Sequence, residues 1–214
     1  VKTLYTFKSK NTKYYSNLLP SRLKNGITQN ILTVLPVRTQ HGRRILYIEA
    51  GKWDTKKISL VELMRSVLLL VEVAVTEYRT QICGVEVIFN LQGLCLQHVC
   101  QFGPSIASMI LEWIQDCMPL RMKGVHIVNQ PYLFNMLFAI FKPFFNEKIR
   151  KRIYFHGKDY ESIYKYIDKK YLPLEIGGEL ELTPFDRNEF HKLLCSYESR
   201  FEERMRCGFK KKPT

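Results

Sequence analysis

The side chains that most often perform chemistry in enzymes are scattered along this sequence. The five histidines form no pair at helical spacing, and no acidic residue accompanies them in a catalytic pattern. His126 alternates with Val125 and Ile127 in a predicted strand, which favours a hydrogen-bonded structural histidine. Glu72 and Glu77 lie on one long predicted helix, and we interpret them as paired structural charges. These residues do not indicate an acid–base couple.

Short motifs that bind phosphate or activate a nucleophile are absent from the sequence. It contains no G-x-x-x-x-G-K-[ST] loop, no G-x-G-x-x-G loop and no G-x-S-x-G elbow. Gly103-Pro-Ser105 does not replace the elbow, because Pro104 removes a backbone N–H that an oxyanion hole needs. We therefore expect a protein that is not an enzyme and uses no cofactor. Isomerisation or hydrolysis of a pocket-bound ligand stays open as an alternative for which no residue is nominated.

The six cysteines indicate a reducing compartment. They form no C-x-x-C pair and no cluster with zinc-ligand spacing, and most sit among apolar residues, where a free thiol packs as a small hydrophobic group. We expect no metal site and a cytoplasmic protein. The most apolar stretch, residues 67–75, is interrupted by Glu72 and is too short to span a bilayer.

The chain combines 46% hydrophobic residues with a net charge of +13 over 214 residues. This size and hydrophobic content suit one α/β domain that could enclose a cavity. The charge favours an anionic partner, whether nucleic acid, acidic lipid headgroups or an acidic protein. A nucleic-acid surface would interleave cations with exposed aromatic residues, and only the Lys- and Tyr-rich residues 1–25 offer a little of that pattern. We therefore expect no nucleic-acid partner.

Strand and helix patterns alternate along the chain, which predicts a mainly parallel sheet covered by helices. Ser59 begins a long predicted helix that reaches about Thr80, with Glu62 completing a capping box. The remaining predicted elements are strands at 44–49, 84–91, 124–129 and 152–155, helices at 104–117, 131–143 and 184–206, a turn-rich closure at 172–178, and a basic tail at 210–212.

The predicted helix in residues 131–145 is apolar on two sides and is followed by cations. Two stripes run along it about 100° apart. Leu133, Leu137 and Ile140 form the first stripe, and Phe134, Phe138, Phe141 and Phe145 form the second. Cations follow at positions 142, 148 and 150–152, a combination that suits an anionic membrane surface. A buried crossover helix followed by a solvated charge run explains the pattern equally well.

Several segments follow one another in the order and spacing of a known family. They are 84–93 (GVEVIFNLQG), 119–131 (PLRMKGVHIVNQP), 142–153 (KPFFNEKIRKRI), His156-Gly157 and 172–178 (LPLEIGG). Over about residues 25–185 the chain resembles the CRAL-TRIO lipid-binding domain. Within that family it is similar to the branch of alpha-tocopherol transfer protein, cellular retinaldehyde-binding protein and the clavesins.

The resemblance implies an α/β fold in which a mobile gate helix, at about residues 129–152, closes a hydrophobic pocket. It implies three parts: the end of a truncated helical N-terminal domain at 1–25, the lipid-binding domain at 26–185, and a C-terminal amphipathic helix with a basic tail at 186–214. The implied ligand contacts are Met64, Val67, Val71, Val85, Phe89, Phe102, Ile110, Trp113, Ile114, Leu120, Met122 and Val125, with Leu133, Leu137 and Ile140 on the gate. The implied phosphoinositide contacts are Arg121, Lys123, Lys148 and Arg152, all of them basic here.

The resemblance therefore implies a cytoplasmic carrier, peripheral at intracellular membranes, for a small lipid of tocopherol, retinoid or carotenoid type. Val67 and Val71 stand where the tocopherol carrier has serines, which favours a more apolar cargo. At a membrane, the basic residues would bind a phosphoinositide, the phenylalanine stripe would enter the interface, and the gate would open. The alternative is a phosphoinositide-binding recruitment module without a dedicated cargo.

Overall fold

In the computed structural model, which describes residues 2–182 and 186–206, five strands form one sheet in the order β1-β2-β3-β4-β5. The strands are β1 (Leu32–Arg38), β2 (Arg44–Glu49), β3 (Val85–Asn90), β4 (Met122–Val128) and β5 (Ile153–Gly157). Strands β2 to β5 are parallel, and β1 pairs antiparallel with β2 at the edge. The predicted mainly parallel sheet is confirmed, and β1 is an addition that the sequence pattern did not reveal.

Helices cover the sheet, and further helices lie at both ends of the described chain. They are α1 (Lys2–Lys10), α2 (Thr12–Tyr15), α3 (Lys24–Thr28), α4 (Leu60–Ala74), α5 (Tyr78–Cys83), α6 (Leu96–Val99), α7 (Pro104–Glu112), α8 (Phe134–Phe141), α9 (Glu147–Arg150), α10 (Arg187–Ser196) and α11 (Glu198–Arg206). A π-helical turn, Trp113–Cys117, continues α7. The 3-10 turns are Pro20–Arg22, Ala50–Lys52, Lys142–Phe144, Tyr160–Lys165, Lys169–Tyr171 and Leu174–Ile176. None of these helices is long and apolar enough to cross a bilayer.

Helix α4 begins where its capping residue predicts, but it ends earlier than expected. The hydroxyl of Ser59 accepts a hydrogen bond from the backbone N–H of Glu62. The single helix expected to reach Thr80 is in fact α4 and α5, separated at residues 75–77. The Thr76 hydroxyl bonds back to the carbonyl of Val73, which competes with the helical ladder. The expected helix at 184–206 is likewise two helices, and the basic tail at 210–212 lies outside the described residues.

The two faces of the sheet pack against different layers because successive side chains in a strand point to opposite sides. Ile45, Tyr47 and Ile88 belong to one core, which the segment from Tyr160 to Ile176 covers. Leu46, Ile48 and Val87 face the opposite way, toward α4 and α7. This second face is the one that borders the ligand cavity described below.

The terminal helices pack on the outer side of α4 in one hydrophobic cluster. Phe7 of α1 and Phe201 of α11 are buried there with Leu69 of α4. The Glu72 carboxylate accepts from Lys8 Nζ and from Arg204 Nη1, each at 2.9 Å. The first and last described helices are thus tied to the same helix. That residues 1–25 are the end of a longer helical domain stays a prediction.

Candidate functional site

A cavity of about 400 Å³ lies between the sheet and helices α4, α7 and α8. This volume falls in the range of small-molecule pockets. Hydrophobic side chains form the wall, and Arg44 and Glu77 are the charged residues among the described lining residues. These two bind each other, with Arg44 Nη2 donating to Glu77 Oε1 at 2.6 Å and Arg44 Nε to Glu77 Oε2 at 3.1 Å. A bound molecule therefore meets almost only apolar surface.

The residues that the resemblance nominated for ligand contact come together on this wall, apart from Leu133 and Ile140. Those that line the cavity are Met64, Val67, Val71, Val85, Phe89, Phe102, Ile110, Trp113, Ile114, Leu120, Met122, Val125 and Leu137. Leu133 packs in a neighbouring cluster with Leu91 and Leu94 instead. The wall also includes Leu46 and Ile48 of β2, which the alternating pattern of that strand could have indicated.

Of the two interpretations left open for the helix in residues 131–145, the buried one describes its phenylalanine stripe in this structure. Phe134, Phe138, Phe141 and Phe145 line the cavity, as Leu137 does. The Phe141 ring meets the Phe102 ring edge-on, with centroids 5.7 Å apart. The outer face of α8 carries Met136, which is 53% exposed, and Tyr132 just before the helix is 88% exposed. The phenylalanine rings face inward because they fill the space between α8, α7 and the sheet.

A second, basic pocket of about 300 Å³ gathers all four residues nominated for a phosphoinositide headgroup. Arg121 precedes β4 and Lys123 lies in it, while Lys148 lies in α9 and Arg152 precedes β5. Guanidinium groups of Arg121 and Arg152 donate to the backbone carbonyls of Ile82 and Met122, respectively. In the part of the chain that the structure describes, no carboxylate lies within ion-pair distance of these four cations.

The positive charge of the basic pocket is concentrated around Lys123. Burial lowers the pKa of this ammonium group, and the nearby guanidinium groups of Arg121, Arg43 and Arg152 lower it further. Short α9 holds Lys148 in place, since Asn146 caps it by accepting from the backbone N–H of Ile149 at 2.9 Å. An anion in this pocket would relieve the mutual repulsion of the cations.

The apolar cavity and the basic pocket share part of their walls. The side chains that line both are Ile114, Met118, Leu120, Met122 and Ile149. A molecule in one pocket therefore touches the residues that bound the other.

His126 lies on the sheet face away from the cavity, in a buried polar cluster. Its Nδ1 lies 3.0 Å from His156 Nε2, and its Nε2 lies 3.4 Å from Glu86 Oε2. The other oxygen of Glu86 accepts from Arg43 Nη1 at 2.5 Å. These contacts fit the structural histidine expected from the sequence. Within residues 2–182 and 186–206, no group of three or more His, Cys, Asp or Glu side chains could hold a metal ion.

The structure thus combines a mainly parallel sheet, helices that cover it, an apolar cavity and an adjacent basic pocket. The chain belongs to the CRAL/TRIO domain family, whose model matches residues 28–178. The expected family and fold are thus confirmed. This membership agrees with the lipid-binding domain that the sequence motifs implied.

Individual relatives agree with this assignment. The chain is 38% identical over 164 residues to the alpha-tocopherol transfer protein-like protein of Mus musculus. These residues cover 77% of this chain and 48% of the relative. It is 35% identical over 172 residues to Clavesin-1 of Xenopus laevis, covering 80% and 51%, respectively. The chain thus spans about half the length of the curated relatives it matches. The crystal structure of Sfh5 shares the fold, with a TM-score of 0.54 at 14% identity, covering 89% of this chain and 74% of that one.

Proposed function

We propose that this chain carries a small hydrophobic lipid in the apolar cavity and exchanges it at membranes that contain phosphoinositides. The observation that carries the proposal is the composition of the cavity wall, which offers a ligand almost no hydrogen-bonding group. Such a wall suits a molecule that water dissolves poorly, because its transfer from water is then favourable across its whole surface. A polar substrate would find few hydrogen-bonding partners on this wall.

The wall also narrows the class of cargo. Val67 and Val71 of α4 offer no partner to a ligand hydroxyl, and Arg44 and Glu77 already bind each other. A hydroxyl buried without a partner costs about 1–3 kcal/mol. We therefore favour a retinoid, a carotenoid or another terpenoid over tocopherol.

Helix α8 is the element that must move for the cargo to enter or leave. It packs through aromatic side chains, while polar contacts fix the chain on either side of it. Asn129, before the helix, has the left-handed φ of 55°, and its side-chain oxygen accepts from the Tyr160 hydroxyl at 2.7 Å. After the helix, Gln115 binds the carbonyl of Phe144 and the N–H of Asn146. These anchored ends are suitable hinges for a gate.

The membrane step differs from the one expected from the sequence, because the phenylalanine rings face the cavity. The basic pocket would bind the phosphoinositide headgroup, and Tyr132 and Met136 would contact the bilayer interface. Displacing α8 would then open the cavity toward lipid, where the inward rings meet acyl chains instead of water.

Two experiments test this function. Organic extraction of the purified folded protein, followed by mass spectrometry, should yield one stoichiometric apolar molecule. An empty or mixed extract would favour the alternative of a membrane-recruitment module, which the basic pocket alone also supports. Transfer of that molecule between vesicles should be faster when phosphatidylinositol bisphosphate is present.

Charge reversal tests the basic pocket separately. Arg121→Glu together with Lys148→Glu should abolish the acceleration by phosphatidylinositol bisphosphate. The matched control reverses the exposed Lys13 and Lys24, which changes the net charge equally but lies on α2 and α3. If the double reversal at the basic pocket leaves transfer unchanged, phosphoinositide-dependent exchange at this pocket is refuted.

A further inference from the structure

Helix α5 presents two apolar side chains to solvent on one face. Tyr78 is 77% exposed and Ile82 is 50% exposed, and a spacing of four places them one turn apart. The helix itself is firmly held. The Thr80 hydroxyl donates to Glu77 and accepts from Arg38, and the Gln81 side chain donates to the carbonyl of Val75 at 2.6 Å. The exposed pair is therefore displayed on a rigid support.

Helix α5 lies directly beside the basic pocket. The guanidinium group of Arg121 donates to the backbone carbonyl of Ile82. Gly84, directly after α5, has a left-handed φ of 84° and lies against Arg121 and the Lys123 side chain, where a Cβ would collide. The exposed Arg79 lies between the two apolar residues in sequence. Apolar and cationic groups thus form one surface beside the proposed headgroup site.

We propose that α5 is a second membrane-contact element, whose partner is an anionic lipid bilayer that receives Tyr78 and Ile82 at its interface. The inference rests on the proposed function, because it places α5 next to a headgroup held by Arg121. Headgroup binding alone leaves the protein free to rotate about one point, and a contact at α5 fixes its orientation.

Charge and size favour a bilayer over a protein partner. The nearby carboxylate of Glu77 is neutralised by Arg38 and Arg44, so the surroundings of α5 are cationic. Two side chains supply far less area than the roughly 1,000 Å² of a specific protein interface. Tyrosine also suits the membrane interface, since its ring is apolar and its hydroxyl stays hydrated.

The first test measures binding to phosphatidylcholine vesicles containing phosphatidylinositol bisphosphate. Tyr78→Ser with Ile82→Ser should weaken vesicle binding about tenfold, because both side chains lose their apolar contact with lipid. Binding of free inositol trisphosphate, measured by calorimetry, should not change. The matched control is Leu193→Ser with Tyr197→Ser, an exposed Leu and Tyr pair of the same spacing at α10.

A second test detects insertion directly. Ile82→Trp should add fluorescence that brominated lipids quench, since the native Trp53 and Trp113 are buried, whereas Leu193→Trp should add fluorescence that they do not quench. Unchanged vesicle affinity of the α5 double variant, or no quenching at position 82, overturns the proposal. If the Arg121 and Lys148 reversal fails to alter binding while the α5 variant weakens it, headgroup recognition fails and α5 docking stands.

Discussion

Acidification should destabilise this protein largely through His156. The Ser162 hydroxyl donates to the carbonyl of Asp159 at 2.7 Å, so His156 Nδ1 donates to that hydroxyl at 2.6 Å. The unprotonated Nε2 of His156 then accepts a hydrogen bond from His126 Nδ1 at 3.0 Å. A proton added to this nitrogen would face another N–H and break the bond. Burial, followed by the proximity of His126, lowers the pKa of His156 from 6.5 to about 4.

The sign and size of the effect follow from this shift. Below pH 6.5 the unfolded state binds a proton at this histidine more readily than the folded state does. The contribution of His156 to the free energy of unfolding is therefore fully present above about pH 7, and it falls as the pH drops toward 4. A folded pKa of about 4 gives a loss of about 2 kcal/mol by about pH 5.

Urea denaturation of the parent and His156→Asn, at about pH 7.5 and about pH 5, measures this contribution. The variant should be less stable than the parent at the higher pH, but its further loss on acidification should be smaller by about 2 kcal/mol. His41→Asn is the control, since the side chain of His41 is exposed and should not alter the difference. Equal losses in the parent and His156→Asn would refute the assignment to His156.

Three further predictions concern α4 and the cavity. Glu72→Gln should lower the free energy of unfolding by about 1–2 kcal/mol, because the carboxylate that Lys8 and Arg204 share loses its charge; an unchanged urea midpoint would contradict this. Ser59→Ala should cost about 1 kcal/mol through loss of the helix cap, also measured by urea denaturation, and Ser59→Asp should restore it. Val71→Ser should weaken retention of an apolar cargo about tenfold in a displacement assay; unaltered retention would place the cargo away from α4.

The central strands could be predicted because their patterns are strong and local. Strand β2 has the predicted bounds, and its alternation between Leu46 and Tyr47 assigns each side chain to its layer. Strand β1 escaped prediction because Pro36 interrupts its apolar run, a feature that normally argues against a strand. The proline is tolerated since β1 is an edge strand.

Contacts distant in sequence explain why the long helix was predicted without its break. Residues 75–77 contain neither Gly nor Pro, so no local signal marks the end of the helix there. Glu77, however, binds Arg38 at the end of β1 and Arg44 at the start of β2, and both arginines are distant from it in sequence. Two ion pairs and the hydroxyl of Thr80 hold this carboxylate outside the helix, and no local pattern predicts them.

The orientation of α8 could have been predicted from its polar residue and not from its apolar ones. A helix that is apolar on most sides has no preferred direction in its hydrophobic pattern, so either stripe could face the cavity. Asn135 is the polar residue within Phe134–Phe141, and it is exposed. At 3.6 residues per turn, Leu137 and Phe141 lie about 200° and about 240° from it, on the cavity side. Met136 and Tyr132 lie on the other side, so any bilayer contact of the closed α8 must involve these two residues and not the phenylalanines.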